Sequence, residues 1–407
     1  MHTSLVTSPI RIFLFFLLLT IAACQSKSGQ DGETTESATD MPVAATAFEA
    51  SPQPIEEIEV STLEIGSKAP DFRLPGVDGE YHELSEYDDA EVLTIIFTCN
   101  HCPTAQAYEQ RIKDLVNDYQ DKGVTVVAIS PNSPLALLYD ELGYSDLGDT
   151  YEDMQLRADD EDYNFPYLYD GDDHAVSIQY GPVATPHAFV FDKNRSLQYV
   201  GRLDGSEKPG TAQAEDVRAA IDAVLVGETV ETPTTKTFGC SVKWAWKDEM
   251  KDRVYKQWEE LPVSLETIDE AGISELLKND SDKLRLINVW ATWCGPCVLE
   301  YPEFIVMHRM YDDRPFEFIS ISADRPEQEG KVKQFLEKQN SSVKNYIFTK
   351  DDKYALIEAI DPEWEGALPY TILVEPRGKR IYSQQGTIKP LALRQTIVEH
   401  ELIGRYY

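Results

Sequence analysis

Two stretches decide the fold: Val92-Leu93-Thr94-Ile95-Ile96-Phe97-Thr98-Cys99-Asn100-His101-Cys102-Pro103, and Leu284-Arg285-Leu286-Ile287-Asn288-Val289-Trp290-Ala291-Thr292-Trp293-Cys294-Gly295-Pro296-Cys297. Each is a short β-branched and aromatic run that delivers a Cys-x-x-Cys pair into a helical pattern. After the first pair the pattern spans roughly Thr104 to Asp121, Gly123 ends it, and Val124 to Ser130 reads as a second buried strand. After the second pair a helix of similar length leads to Phe316 to Ser322. Strand, helix, strand is the unit of a parallel sheet. The two cysteine pairs lie 195 residues apart, and the strand ends Ile129-Ser130 and Ile321-Ser322 lie 192 apart, so the spacing argues for a duplicated domain.

Further along, Thr185-Pro186 precedes the apolar run His187 to Phe191, with a return strand Leu197 to Arg202, and Leu368-Pro369 precedes Tyr370 to Val374 and Arg380 to Ser383. Each copy closes with a hairpin and a helix, Ala214 to Leu225 in one and Pro390 to Leu402 in the other. The expected fold class is α/β, two folds each built on a mixed sheet flanked by helices. The expected order is a leader at 1–23, a disordered acidic tether at 24–62, a first domain at 63–245, a connecting helix at 246–261 and a second domain at 262–407.

The leader reading rests on Ile12 to Ala23, an apolar run behind Arg11 that is too short for the roughly 20 residues of a membrane-spanning helix. It ends in Ile21-Ala22-Ala23-Cys24, which resembles a bacterial lipobox, making Cys24 the expected lipid-bearing residue. Everything after it is then expected in the cell envelope, lipid-anchored and facing the periplasm or the surface, where disulfides persist. With 37 basic against 71 acidic side chains the net charge is −34, which repels polyphosphate and excludes a nucleic-acid partner. The 42% hydrophobic content supports ordinary cores and excludes wholesale disorder.

Both halves resemble thioredoxin-superfamily domains. The second, with Trp293-Cys294-Gly295-Pro296-Cys297, Glu300 and Pro302, resembles TlpA-like thiol-disulfide reductases. The first, opening on Gly66-Ser67-Lys68-Ala69-Pro70-Asp71-Phe72, resembles the redoxin (AhpC/TSA-like) group, and within it a subgroup with CNHCP and a late GCSxKW, here Gly239 to Trp244. The resemblance implies that Pro186 and Pro369 are cis, leaving the backbone at Thr185 and Leu368 free to pair with a substrate strand. It also implies that Glu300 takes a proton from Cys297, against the alternative of a solvated helix Glu. Ala105 holds the corresponding place in the first half.

A thiol attacks a disulfide as its thiolate, so an active cysteine needs a lowered pKa and access. The strand-to-helix junction is expected to place Cys99 and Cys294 at helix starts, where unpaired N–H groups favour negative charge. On that reading Cys99 and Cys294 attack while Cys102 and Cys297 resolve. Gly295-Pro296 offers no side-chain donor, whereas His101 is expected to favour thiolate and make the first site more oxidising. No cofactor and no metal is expected. Disulfide-bearing or thiol proteins of the periplasm are the expected partners, with a membrane reductant as a candidate electron source. An internal relay would pass electrons from Cys294/Cys297 to Cys99/Cys102.

Rival readings turn on particular residues. A shared zinc site is disfavoured by the complete strand–helix context of each pair. Haem attachment needs His after the pair, where Pro103 and Val298 stand. Peroxidase activity in the first half is the runner-up, but the Pro-x-x-x-Thr-x-x-Cys loop is missing: Ile96 and Val92 precede Cys99, and Cys99 and Ile95 precede Cys102. A non-catalytic partner-binding lipoprotein is opposed by exposed attacking thiols expected in both halves. Cys240 is read either as a small buried apolar residue or as a third redox thiol. The acidic stretch Asp140 to Asp173 lacks the Gly and Glu of a calcium loop and reads as a solvated face.

Overall fold

Two mixed sheets carry the chain. A computed structural model describes residues 48–406; the leader, Cys24 and the first part of the expected tether lie outside them. The first sheet is built from β1 (Val92–Phe97), β2 (Val124–Ser130), β3 (Tyr167–Tyr169), β5 (His187–Asp192) and β6 (Leu197–Gly201), in the order β3-β2-β1-β5-β6. Between β3 and β5 lies the short β4 (Ala184–Thr185). β1 runs parallel to β2 and antiparallel to β5, with Phe97 opposite both Ile129 and His187. Helix α1 (Pro103–Tyr119) makes the β1–β2 crossover, and α2 (Glu215–Leu225) follows the hairpin.

Every residue of β1 is buried, because α1 and α2 cover one face and Phe72, Tyr180 and their neighbours cover the other. A short pair, β4 with β7 (Cys240–Ser241), lies outside the main sheet.

Helix α3 (Asp248–Glu259) fills the expected connection. The second sheet comprises β8 (Glu266–Ile268), β9 (Leu284–Trp290), β10 (Phe316–Ser322), β11 (Lys344–Phe348), β12 (Tyr370–Val374) and β13 (Arg380–Gln385), in the order β8-β11-β10-β9-β12-β13. Helix α4 (Glu270–Lys278) precedes β9, α5 (Gly295–Met310) joins β9 to β10, and α6 (Pro390–Val398) closes the chain's helices. Its core stacks Phe304 on Phe318 at 5.2 Å and seats Trp290 against Tyr301, while the Trp290 Nε1–H donates to Ser320 Oγ at 2.7 Å. The paired donor matters, since burying an indole N–H without an acceptor would offset much of what ring burial contributes.

Two expectations need correction. Residues 48–62 belonged to the expected disordered tether, yet Phe48 packs edge-on to Tyr151 at 4.8 Å, the Gln53 amide donates to Asp172 O at 2.9 Å, and the Thr62 hydroxyl donates to Gly181 O. An aromatic anchor and backbone pairing hold this polar segment despite its composition. The acidic stretch is not uniformly solvated: Asp146, Asp149 and Asp170 are buried. Asp146 pairs with Arg405 at 2.6 Å, Ser145 O accepts from the Tyr311 hydroxyl, and Tyr139 stacks on Tyr255 at 4.7 Å. Part of this stretch is therefore the seam along which the two halves pack.

Candidate functional site

The two Cys-x-x-Cys pairs sit differently on their helices. In the second half Cys294 is the N-cap of α5, with Pro296 in the first turn, and a disulfide links it to Cys297 with Cα atoms 5.3 Å apart. The helix places Cys297 one turn deeper, 1% exposed against 6% for Cys294. Trp293 beside it is 62% exposed, and a cleft lined by Trp293, Ala323, Phe348, Leu356, Trp364 and Leu368 opens next to the pair.

Glu300 is not a surface residue. Three positions after Cys297 on the same helix face, it is buried, its Oε2 accepts from the Ile388 amide at 2.9 Å, and its Oε1 has no partner. Burial pushes its carboxyl up to about 7, against the opposing effect of the Ile388 hydrogen bond. Such a group exchanges a proton near neutrality.

In the first half the expectation that Cys99 heads the helix is corrected. The N-cap of α1 is Cys102, in extended conformation, with Pro103 at the first helical position. The peptide links Thr185–Pro186 and Leu368–Pro369 are both cis. Thr185 faces the pair: its Oγ1 lies 3.1 Å from Cys99 Sγ, and its carbonyl accepts from Cys102 Sγ at 3.5 Å.

Cys99, Cys102 and Ala105 form one packed cluster with half-buried Cys240 against it. Burial raises the Cys99 thiol well above its ordinary value. Burial also works against a Cys102 thiolate, but hydrogen bonds from Cys240 and Cys99, the His101 charge and the Ala105 amide reverse it and leave Cys102 well below the ordinary value. Of the two thiols of the pair, the one whose charged form the surroundings favour is Cys102. Accessibility is also corrected, because Cys99 is 2% and Cys102 0% exposed.

His101 is buried beside the pair, and its Nδ1 meets Asp149 Oδ2 at 2.6 Å. Burial lowers the imidazole pKa, yet the Asp149 carboxylate more than compensates and holds it above the ordinary value. Asp149 also accepts from the Asn100 and His101 amides at 2.9 and 3.1 Å and from Asn132 Nδ2 at 2.7 Å. Cys99, His101 and Asp149 offer ligand atoms within 4.8 Å of one another, but these bonds already occupy the carboxylate, so the group is a hydrogen-bonded network supporting His101. The sequence reading missed Asp149 and Asn132, because Asp149 lay within an acidic run and its link to His101 spans 48 residues of chain.

A cysteine pair at a strand-to-helix junction in each of two mixed sheets flanked by helices marks two thioredoxin-like folds. Comparison with known proteins agrees: the AhpC/TSA family model matches residues 65–200 and the Redoxin model matches residues 260–396. The chain is a tandem of these two thioredoxin-superfamily domains.

It is 23% identical over 168 residues to Thiol-disulfide oxidoreductase ResA of Geobacillus thermodenitrificans, covering 41% of this chain and 81% of that protein. A hypothetical protein of Sinorhizobium meliloti of known structure is 33% identical, with a TM-score of 0.40 and coverage of 46% of this chain and 97% of that one. A thiol:disulfide interchange protein DsbE of Chlorobium tepidum is 22% identical, with a TM-score of 0.32 over 40% of this chain and 99% of its own. Among the described residues no helix is long and apolar enough to cross a membrane.

Proposed function

We propose that the chain is a lipid-tethered enzyme of the bacterial cell envelope that exchanges disulfides with thiol or disulfide proteins through Cys294 and Cys297, with the first-domain cysteines as a second, more oxidising centre. The observation that carries this reading is the Cys294–Cys297 disulfide at the tip of α5, beside exposed Trp293 and a mixed apolar and charged cleft whose lining includes Leu368. In the reducing direction the Cys294 thiolate, at the helix N-terminus, attacks a substrate disulfide. One substrate sulfur leaves as thiolate and the other stays on Cys294 as a mixed disulfide; Cys297 then attacks the Cys294 sulfur and expels that second substrate thiol, and Glu300 accepts the Cys297 proton. Leu368, outside any strand, offers its backbone to an extended polypeptide.

In the first domain Cys102 holds the stabilised thiolate, and the Asp149–His101 pair supports it. A strongly stabilised thiolate favours the reduced form, which makes that centre the stronger oxidant. Electrons then run from a membrane reductant to Cys294/Cys297 and on to Cys102. The lipobox at Cys24 supports the tether.

The test is turnover of a protein disulfide by the full chain with a chemical dithiol as reductant. C294S should abolish reduction by the second domain, and a fatty-acid label should be lost in C24A. Retained turnover in C294S, or hydroperoxide consumption in place of disulfide exchange, would overturn the reading. With C294S/C297S, an unchanged rate of first-domain reduction by an upstream dithiol would mean parallel sites in place of a relay.

A further inference from the structure

The two cis-proline loops are occupied differently. Leu368 borders an open cleft, whereas the same edge in the first domain is filled by the chain itself: β7 pairs antiparallel with β4, Cys240 opposite Thr185 and Ser241 opposite Ala184. Gly239 makes the close approach available. Its φ is +125°, and a Cβ there would lie 2.1 Å from Thr185 O.

The strap is held at both ends. Upstream, the Thr235 amide donates to Val200 O and its hydroxyl meets Tyr199 Oη at 2.7 Å. Downstream, the Lys243 amide donates to Asn132 Oδ1 at 2.9 Å, the Ser133 amide donates to Lys243 O at 2.8 Å, and the Ala245 amide donates to His174 Nε2 at 2.8 Å. Cys240 is thus a fixed part of the site and lies where a substrate strand would otherwise pair. It is also the partly exposed member of the three-thiol cluster, Cys99 and Cys102 being buried.

We propose that Cys240 is the port of the first centre: it exchanges with small-molecule disulfides and thiols, and passes the disulfide inward to Cys102. This deepens the reading that the first domain is redox-active and rests on it. An extended polypeptide is excluded because its pairing edge is taken, which leaves a low-molecular-weight disulfide as the substrate class.

The steps balance. The Cys240 sulfur attacks the small disulfide, forming a Cys240 mixed disulfide and releasing one thiolate, while the Cys240 proton passes to the Cys102 thiolate packed against it. Cys102 then attacks the Cys240 sulfur, forming a Cys102–Cys240 disulfide and releasing the second thiol, which carries away the remaining proton. Two electrons pass from protein to substrate. Cys99 can next displace Cys240 from Cys102, moving the bond to Cys99–Cys102 and restoring the port thiol.

The experiment uses the reduced full chain, glutathione disulfide as oxidant, and peptide mass mapping against time. In wild type the Cys102–Cys240 link should appear before Cys99–Cys102. C102S should accumulate glutathione on Cys240, and C240S should oxidise its first site more than about tenfold more slowly. G239A, which forces the strap off Thr185 O, should leave Cys102 more quickly alkylated than in wild type. Oxidation of C240S at the wild-type rate, with the adduct on Cys102, overturns the port. A wild-type first site that glutathione disulfide never oxidises instead overturns the redox reading of that domain, so the two failures are distinct.

Discussion

Replacing Asp149 with asparagine removes one charge and changes little volume, so its effect reads the electrostatic support of His101. The side chains of the pair are 1% and 0% exposed and 2.6 Å apart. At an effective dielectric near 20 such an attraction is on the order of 4 kcal/mol, and breaking a buried pair from one side typically costs about 3–5 kcal/mol.

In D149N the carboxamide oxygen could still accept from the Asn100 and His101 amides, but the new NH2 group would face His101 Nδ1 and Asn132 Nδ2. Asn132 cannot simply flip, because its Oδ1 accepts from the Lys243 amide. One donor then lacks a partner at about 1–3 kcal/mol, which puts the total loss near 3 kcal/mol.

The pH dependence follows from two shifts of opposite direction. Asp149 is held below its ordinary 3.8, so its contribution is present above 3.8 and disappears as pH falls through the lowered value. His101 is held above its ordinary 6.5, so its contribution is full below 6.5 and disappears as pH rises through the raised value. Urea unfolding of wild type and D149N should therefore differ most between pH 3.8 and 6.5, narrowing on both sides. In the same variant the thiolate absorbance assigned to Cys102 should appear at higher pH. A gap below about 0.5 kcal/mol, or one flat in pH, would refute the network as the source of thiolate stability.

Other substitutions probe other parts. Disulfide exchange by the second domain should rise with pH through about 7 as Glu300 ionises, and E300Q should remove that inflection and slow turnover about a hundredfold, checked by pH–rate profiles. Arg111 is 4% exposed and bonds Asp204 through both carboxylate oxygens at 2.8 Å, so R111A should lower unfolding free energy by about 3–5 kcal/mol in a denaturant titration. W293A should leave stability within about 0.5 kcal/mol and raise the KM for a protein disulfide, the ring being exposed beside the cleft.

Strand positions were legible because they are buried, β-branched and aromatic runs: Val92–Phe97, Val124–Ser130, Leu284–Trp290, Phe316–Ser322 and Tyr370–Val374 all fall where such segments announce them. The duplicated cysteines and the prolines before the hairpins were legible for the same reason, being local. The start of α1 after Cys102 was in fact local, set by Pro103 at the first helical position. What was not legible is long-range.

Asp149 reaches His101 across the fold, and composition reads an acidic run as solvated although some of its members are paired and buried. Cys240 could be counted as a leftover thiol, but only the pairing of β7 with β4 brings it to Cys102. Phe48 shows the reverse error, one aromatic anchoring a segment whose average composition suggests no structure.

The central claim is that sulfur at two separate centres changes redox state in the folded chain. Equilibrating the full protein over graded thiol–disulfide buffers and mapping every cysteine-bearing peptide tests it directly. Two two-electron transitions should appear, one confined to Cys294–Cys297 and one, at higher potential, involving Cys102. A cysteine set that stays unchanged across the whole range while the protein remains folded would contradict it.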